Sequence, residues 1–485
     1  MSDDFRPSTP ETQDDVRGIP DGLEEVSEPH PKDDDAANVN SKFPQTGGAI
    51  SEDGVARAFA RTYAGHIVFD HTQQRWFAWT GARWQRDETD SVFNLARKFC
   101  RIAMKRTNLS KPPSSMAKIA FAGNVERAAR SDPPLAVTYE VWDRDPWLLG
   151  VPDGVIDLRT GSTMPPDPAR FISRETSVAP APPGTRAPIW KQFLDEATGG
   201  DADFVHFLQK LCGYMLTGLT HEEIVAFFYG PGGNGKGTFL RPISQIMNAY
   251  AGSIPIEAFS EGRHINLEYY RAQMNGRRLI TTAEPEAGAH WSESSLKEIS
   301  GNETALSARH PYGKPFQFHP VCKIVAVGNF APKLKGRSPA MERRLRVCPF
   351  DRVPAKPDLN LKERLIIEYP GILRWMINGA LAWQREGLGT CTAVAAASEH
   401  YFTAMDAVTE WLDEYCVLDQ SLSTPPSALL ASFNAWAKAG GRDTIDAVAF
   451  AEVIDRTPSL TRTRAHGKRL VRGIGLRAPT GAYES

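Results

Sequence analysis

Ile224-Val-Ala-Phe-Phe-Tyr-Gly230-Pro-Gly-Gly-Asn-Gly-Lys-Gly-Thr238-Phe-Leu-Arg-Pro-Ile-Ser-Gln-Ile-Met247 carries three signals in a row. Its first six residues form the short apolar run that a buried strand needs. The glycine-rich turn follows without a spacer, and helical spacing resumes at Phe239. Glycines let backbone N–H groups turn inward around phosphate oxygens. Lys236 brings a mobile cation to the outer phosphates, and the helix N-terminus adds its dipole. Gly230, Gly232, Gly233, Asn234, Gly235, Lys236, Gly237 and Thr238 are therefore candidate nucleotide-binding residues. One position departs from the usual pattern. Serine or threonine normally follows the lysine and offers its hydroxyl to Mg2+. Here Gly237 stands there, so either Thr238, one place on, or a water molecule is expected to complete the metal's shell.

Two further apolar runs, Arg278-Leu-Ile-Thr-Thr-Ala and Lys323-Ile-Val-Ala-Val-Gly, read as strands of the same sheet. Strands alternating with helices predict a parallel α/β sheet. A phosphate cradle needs a carboxylate to hold Mg2+ and polarise the attacking water. Glu284 and Glu286 follow the first of these strands, and Pro285 stops it at the carboxyl edge where such sheets bind ligands. Glu284 and Glu286 are the candidate catalytic carboxylates, and Glu284 is the expected metal ligand. Asn329 ends the second strand where it would sense the terminal phosphate or the lytic water. Arg343 and Arg344 precede one more strand pattern. They are candidates for an arginine finger that neutralises charge on a neighbouring subunit's nucleotide.

Length and composition bound the rest. The chain has 485 residues, 41% of them hydrophobic and 24% charged, enough for several packed domains. That excludes a wholly disordered or fibrous protein. No run approaches 18 apolar residues, so no membrane span is expected. The acidic start lacks the apolar segment of a secretory signal. Six scattered cysteines form no Cys-x-x-Cys pair, so neither a zinc site nor a disulfide framework is indicated, and a cytoplasmic location is expected. Charge is uneven. Residues 1–50 hold 12 Asp/Glu against 4 Lys/Arg, whereas Arg456 to Arg477 holds seven Lys/Arg and no acid. A basic terminus on a balanced body points to a polyanion partner.

The expected organisation is multidomain α/β. Residues 1–50 read as a disordered acidic tail and 51–188 as an N-terminal α+β domain ending in a Pro-rich linker. Residues 189–220 read as a helical collar, 221–355 as a P-loop ATPase core, and 356–485 as a C-terminal helical or winged-helix-like domain. Trp76, Trp79 and Trp84 fall in a small meander and read as core rather than as a platform for bases. In the basic tail, Arg462, Arg464, Lys468 and Arg469 are the expected phosphate contacts.

The order of these pieces resembles the superfamily III helicases of the phage and plasmid primase–helicase group, to which poxvirus helicase–primases are related. It runs phosphate loop, Glu284-Pro-Glu286, Leu296-Lys-Glu-Ile-Ser-Gly301, His310-Pro-Tyr-Gly-Lys-Pro-Phe-Gln-Phe318, the Asn329 strand, then Arg343-Arg344. Upstream, Asp153-Gly-Val-Ile-Asp-Leu-Arg-Thr-Gly161 and Trp190 to Tyr214 resemble the domain that precedes the ATPase in that group. Asp153 stands where many members have Asn. The resemblance covers roughly residues 55–350. It implies an AAA+-like ATPase using ATP and Mg2+, assembled as a homo-oligomer, usually a hexamer, around single- or double-stranded DNA. His310, Tyr312 and Lys314 would then sit on a hairpin that grips DNA in the pore. Many relatives carry a primase domain. No acidic constellation for one is found upstream, so priming is expected from a separate protein or not at all. Two other readings compete: a ring ATPase that senses nucleic acid without unwinding it, and a P-loop nucleotide kinase.

Overall fold

The structure, a computed structural model, describes residues 51–105, 114–259, 266–282, 291–301, 304–311, 313–329, 338–354, 357–440, 442, 444–457, 459–465 and 468–477. The acidic tail lies outside these residues. The first described helix is Glu52–Tyr63, where Ser51 Oγ caps the start by accepting from Gly54 N. Val55, Phe59 and Tyr63 recur at helical spacing and pack against helices Ser91–Lys105 and Ile119–Ala129. A four-stranded sheet lies beside them, in the order β3 (Trp84–Arg86), β2 (Arg75–Trp79), β1 (Ile67–Asp70), β4 (Ala136–Val137). Trp76 and Trp84 are buried in it. Trp76 donates its indole N–H to Glu126 and Trp84 donates to the Pro168 carbonyl, so both belong to the core as expected.

Next comes the hairpin of β5 (Leu148–Val151) and β6 (Gly154–Asp157), extended by β7 (Ser162–Met164). The Pro-rich stretch behind it is not a loose linker. Ile172, Thr176 and Ala181 are buried, and Arg174 donates to the carbonyls of Ala249 and Asn275. Proline removes donors without preventing packing, so this strap runs across the molecule instead of hanging free.

The central sheet is five-stranded and wholly parallel. Its order is β14 (Leu345–Pro349), β8 (Val225–Tyr229), β13 (Lys323–Gly328), β10 (Leu279–Thr282), β9 (Ala251–Ser253). Residues Val225 to Phe228 are buried on both faces, as a strand inside a parallel sheet must be. One face packs on helices Pro188–Thr198, Ala202–Leu216 and Lys236–Met247 in the largest hydrophobic cluster. The other packs around Trp291, Leu296 and Phe318. The antiparallel pair β11 (Leu306–Arg309) and β12 (Pro315–Phe318) leaves the sheet as a separate hairpin.

The expected block 356–485 is divided by its packing. Helix Tyr369–Glu386 buries Ile372, Leu373, Met376 and Ile377 in the central cluster, against helix Ala202–Leu216. Gly213 and Gly379 meet at that crossing, where a Cβ on either would strike the other helix's backbone. Glu368 accepts from Ile189 N and Trp190 N, capping helix Pro188–Thr198. Only the chain from about Val408 onward has its own core, around Trp411, Phe433 and Phe450. There the order is helix Thr392–Tyr415, β15 (Cys416–Thr424), helices Pro426–Ala439 and Ala447–Arg456, then β16 (Thr461–Ala465) and β17 (Lys468–Leu476). The sheet order is β15-β17-β16.

Candidate functional site

The glycine-rich turn joins the carboxyl end of β8 to helix Lys236–Met247. Gly235 takes a φ of 90° and Gly233 one of 79°, left-handed values that a side chain would strain. Gly230 (φ 148°) leaves no room for a Cβ, which would strike the Phe350 carbonyl. Asn234 donates to that same carbonyl through Nδ2. The loop is thereby tied to the end of β14, because Phe350 N donates to Tyr229 O at 2.6 Å. Behind it, Phe193 lies against Gly235, and Trp190 stacks on Phe239 at 5.4 Å between centroids.

Lys236 is buried, and its Nζ reaches oxygens on the loop and on β13's end. They include the carbonyls of Gly230 (2.5 Å) and Pro231 (3.0 Å), Asn234 Oδ1 (3.0 Å) and Asn329 Oδ1 (2.9 Å). The last contact follows from sheet register. Gly328 pairs with Tyr229, so the residues after each, Asn329 and Gly230, emerge side by side. Lys236, Asn234 and Asn329 thus converge at one point on the carboxyl edge. Thr238 lies half-buried in the first helical turn. β10 ends on the same edge, with Thr282 opposite Ala326. Thr282 Oγ1 is buried and, among the described residues, has no hydrogen-bond partner. Glu284 and Glu286 lie outside the described residues. Among those described, no group of three His, Cys, Asp or Glu could hold a metal ion.

The two arginines separate. Arg344 is buried, with its guanidinium 2.5 Å from Glu223 Oε2, 3.3 Å from Ser300 Oγ and 3.2 Å from the Ala340 carbonyl. Held inside its own chain, it is not placed to act on a neighbour, and that expectation is corrected. Arg343 keeps 65% of its side chain exposed and only grazes Glu223 at 3.5 Å. Leu345 pairs with Val225 and Pro349 with Tyr229, so both arginines sit at the amino edge. They are about 16 Å along the sheet from their own glycine turn.

The hairpin residues stand out into solvent. Lys314 and His310 are exposed, His310 stacks on Phe316 at 5.3 Å, and Arg309 Nε donates to the Gly313 carbonyl across the turn. Tyr312 lies outside the described residues. In the C-terminal sheet Arg464 pairs directly opposite Arg469, and both are exposed. Arg462 is instead drawn into an ion pair with Asp455. Lys468 opens β17 beside Ala465. Sequence reasoning missed Glu223, Phe350 and the buried amino-edge cations Arg278 and Lys323. Lys323 and Arg278 begin their strands with a charge where an apolar run was read, and that was the available signal.

Fold and site together define a multidomain α/β protein with a glycine-rich loop at the carboxyl edge of a parallel sheet. Residues 56–199 match the family described as D5 N terminal like, and residues 228–344 match a family of unknown function, DUF5906. Over 213 residues, 43% of this chain, the sequence is 25% identical to the "Putative helicase L207/L206" of Acanthamoeba polyphaga mimivirus, and the matched part is 22% of that protein. Two apo structures of the NrS-1 C terminal region align over 84% of this chain and 96% of theirs, at 12% identity and a TM-score of 0.45. These matches support a likeness to the phage and viral primase–helicase group that the motif order resembles. No helix among the described residues is long and apolar enough to cross a membrane.

Proposed function

We propose that this chain is an ATP-dependent DNA helicase of phage- or plasmid-type replication, with an AAA+-like P-loop core that works as a ring, most simply a hexamer. The observation that carries the reading is the contact between Lys236 Nζ and Asn329 Oδ1 at the glycine turn, which joins a mobile cation to a strand-end amide. The donor set fits a nucleoside triphosphate: turned-in backbone N–H groups, a buried amine and a helix N-terminus. Bound ATP supplies the cleavable phosphoanhydride, with Mg2+ to neutralise its charge. Lys236 and the loop amides would hold the phosphate oxygens, Thr238 and Glu284 would be the metal ligands, and Glu284 or Glu286 would orient the water. Asn329 reports the terminal phosphate to β13.

Arg343 is the residue that completes a neighbour's site, since its own loop is too far away. The hairpin of β11 and β12 carries His310, Tyr312 and Lys314 to DNA. The last domain's order of helix, strand, two helices and a two-stranded hairpin supports a winged-helix module with Arg464 and Arg469 on its wing. ATP hydrolysis with and without single-stranded DNA, run beside a strand-displacement assay, tests the whole. Hydrolysis stimulated by DNA with displacement is expected. Hydrolysis without displacement would leave a nucleic-acid-sensing ring ATPase.

A further inference from the structure

A cleft of about 720 Å3 opens between the N-terminal sheet and the central one, away from the glycine turn. Three parts of the chain wall it: the aromatic segment around Phe77 and Trp142, the strap at Arg174, and the foot of the β11–β12 hairpin at Phe318 and His319. Its chemistry is of two kinds. Trp142 packs on Phe77 at 4.4 Å between centroids and donates its indole N–H to Asp70 Oδ2 at 2.7 Å, so its ring is fixed. Tyr139 beside it leaves 41% of its surface exposed. The charged lining is four arginines (86, 144, 174 and 278) against Glu140 and Asp143, which makes the cleft basic. Asp143 is already consumed by Ser173, accepting from its N–H and from its hydroxyl. Arg174 and Arg278 are spent on backbone carbonyls and contribute field rather than contacts. Arg144 is exposed and, among the described residues, makes no hydrogen bond or ion pair.

We propose that this cleft is a subsite for single-stranded nucleic acid, holding one or two nucleotides that leave the foot of the hairpin. The exposed Tyr139 ring, beside the fixed Trp142, can stack a base of any identity, and the Arg144 guanidinium takes the neighbouring phosphate. A neutral apolar ligand would leave the arginine field unanswered. A compact anion would leave the aromatic wall unused. The volume suits a nucleotide unit rather than a duplex. The inference rests on the helicase reading, because it places the cleft downstream of a DNA-gripping hairpin.

The test uses the full chain, fluorescein-labelled oligo-dT, and the variants Tyr139→Ala and Arg144→Glu, both at exposed positions. Each variant is expected to bind the strand about tenfold more weakly. For Arg144→Glu the slope of log K against log salt falls by about one. ATP hydrolysis without DNA stays at the wild-type rate. An oligonucleotide carrying 5-iodouracil should cross-link to Tyr139. Wild-type affinity and salt slope in both variants, or cross-links confined to the hairpin, would overturn the subsite. So would displacement of the strand by stoichiometric dTMP, which would make the cleft a mononucleotide site. If the wild-type chain binds no single strand at all, the helicase reading fails with it, whereas loss of binding in Lys314→Ala alone removes only the cleft.

Discussion

At the carboxyl edge of the central sheet, Lys236 is buried among two loop carbonyls, the amide of Asn234 on the same glycine turn and the amide of Asn329 just after β13. At the amino edge of the same sheet, three other cations are buried, and every partner is fixed. Lys323 Nζ donates to the carbonyls of Thr217, Leu219 and Val321 and lies 4.9 Å from the Tyr214 ring. Arg278 donates to Leu216 and Leu148, and Arg344 meets Glu223. Leu216 ends a helix, and Thr217 and Leu219 follow it directly, so these cations also satisfy carbonyls where the helix dipole is negative. The difference teaches what burial of a charge means. A cation on rigid carbonyls ties the collar to the sheet, whereas a cation on a glycine turn can exchange its oxygens for those of a ligand.

The largest effect should separate the two edges outright. Lys236→Ala should lower ATP hydrolysis by about a thousandfold, since on the proposed reading it removes the cation that meets the outer phosphates. Its melting temperature should stay near wild type. A steady-state ATPase assay beside a thermal melt checks this. Near-normal turnover would move Lys236 into the same class as Lys323.

The second prediction splits the arginine pair. Arg344→Ala should cost about 3 kcal/mol of stability, because it leaves Glu223 and Ser300 without their buried partner. Glu223 also holds a left-handed φ of 49°, which a non-glycine residue keeps only when its surroundings enforce it. Arg343→Ala should melt like wild type but hydrolyse ATP poorly, and mixing it with Lys236→Ala should restore some active interfaces. Denaturant unfolding and mixed-subunit ATPase assays read the two outcomes. A stable, inactive Arg344→Ala with a fully active Arg343→Ala would reverse the assignment.

The third concerns pH. Burial pushes the Lys323 amine well below its ordinary value of 10.5, and the neighbouring Arg278 adds to the shift. Between the folded and unfolded values the unfolded chain binds more protons, so this group makes stability rise as pH climbs toward 10.5. Lys323→Met should be less stable at neutral pH by about 2 kcal/mol, since its carbonyl partners lose their donor. It should also lose that part of the rise. Urea unfolding of both chains at several pH values up to 10 tests it. Parallel curves would mean that Lys323 keeps an ordinary affinity for its proton.

The two edges were not equally legible beforehand. The carboxyl edge could be read because its chemistry is local. A strand, a glycine turn and a lysine stand in one stretch, and Asn329 ends a recognisable strand. The amino edge is assembled from residues far apart in sequence. Nothing near Arg344 announces Glu223, so a buried structural arginine and an exposed one looked like a pair. The same limit explains the collar. Sequence position alone puts helix Tyr369–Glu386 in a tail domain, yet Gly379 admits the close crossing with Gly213 that puts it in the central core. The Pro-rich strap read as a linker because composition reports missing donors, while packing depends on Ile172 and Thr176 finding a surface.

The smallest effect extends the comparison to the C-terminal sheet, where Arg464 faces Arg469 across a ladder with no acid beside them among the described contacts. Like charges directly opposite are unfavourable, so the pair resembles the carboxyl edge: cations kept for a partner rather than spent on the fold. Arg462, tied to Asp455, behaves like the amino edge. Removing the whole segment after Asp455 would not isolate these charges, because Val471 and Ile474 are buried in the core of that domain. Charge reversal does. Arg464→Glu with Arg469→Glu should weaken duplex binding and reduce its salt slope by about two, while basal ATP hydrolysis stays unchanged. Arg462→Glu should instead lower the stability of the last domain by about 1 kcal/mol, with little change in the slope beyond that. Equal slopes in the wild type and the double variant would make the wing a solvated surface, and the contrast between spent and available cations would then end at the central sheet.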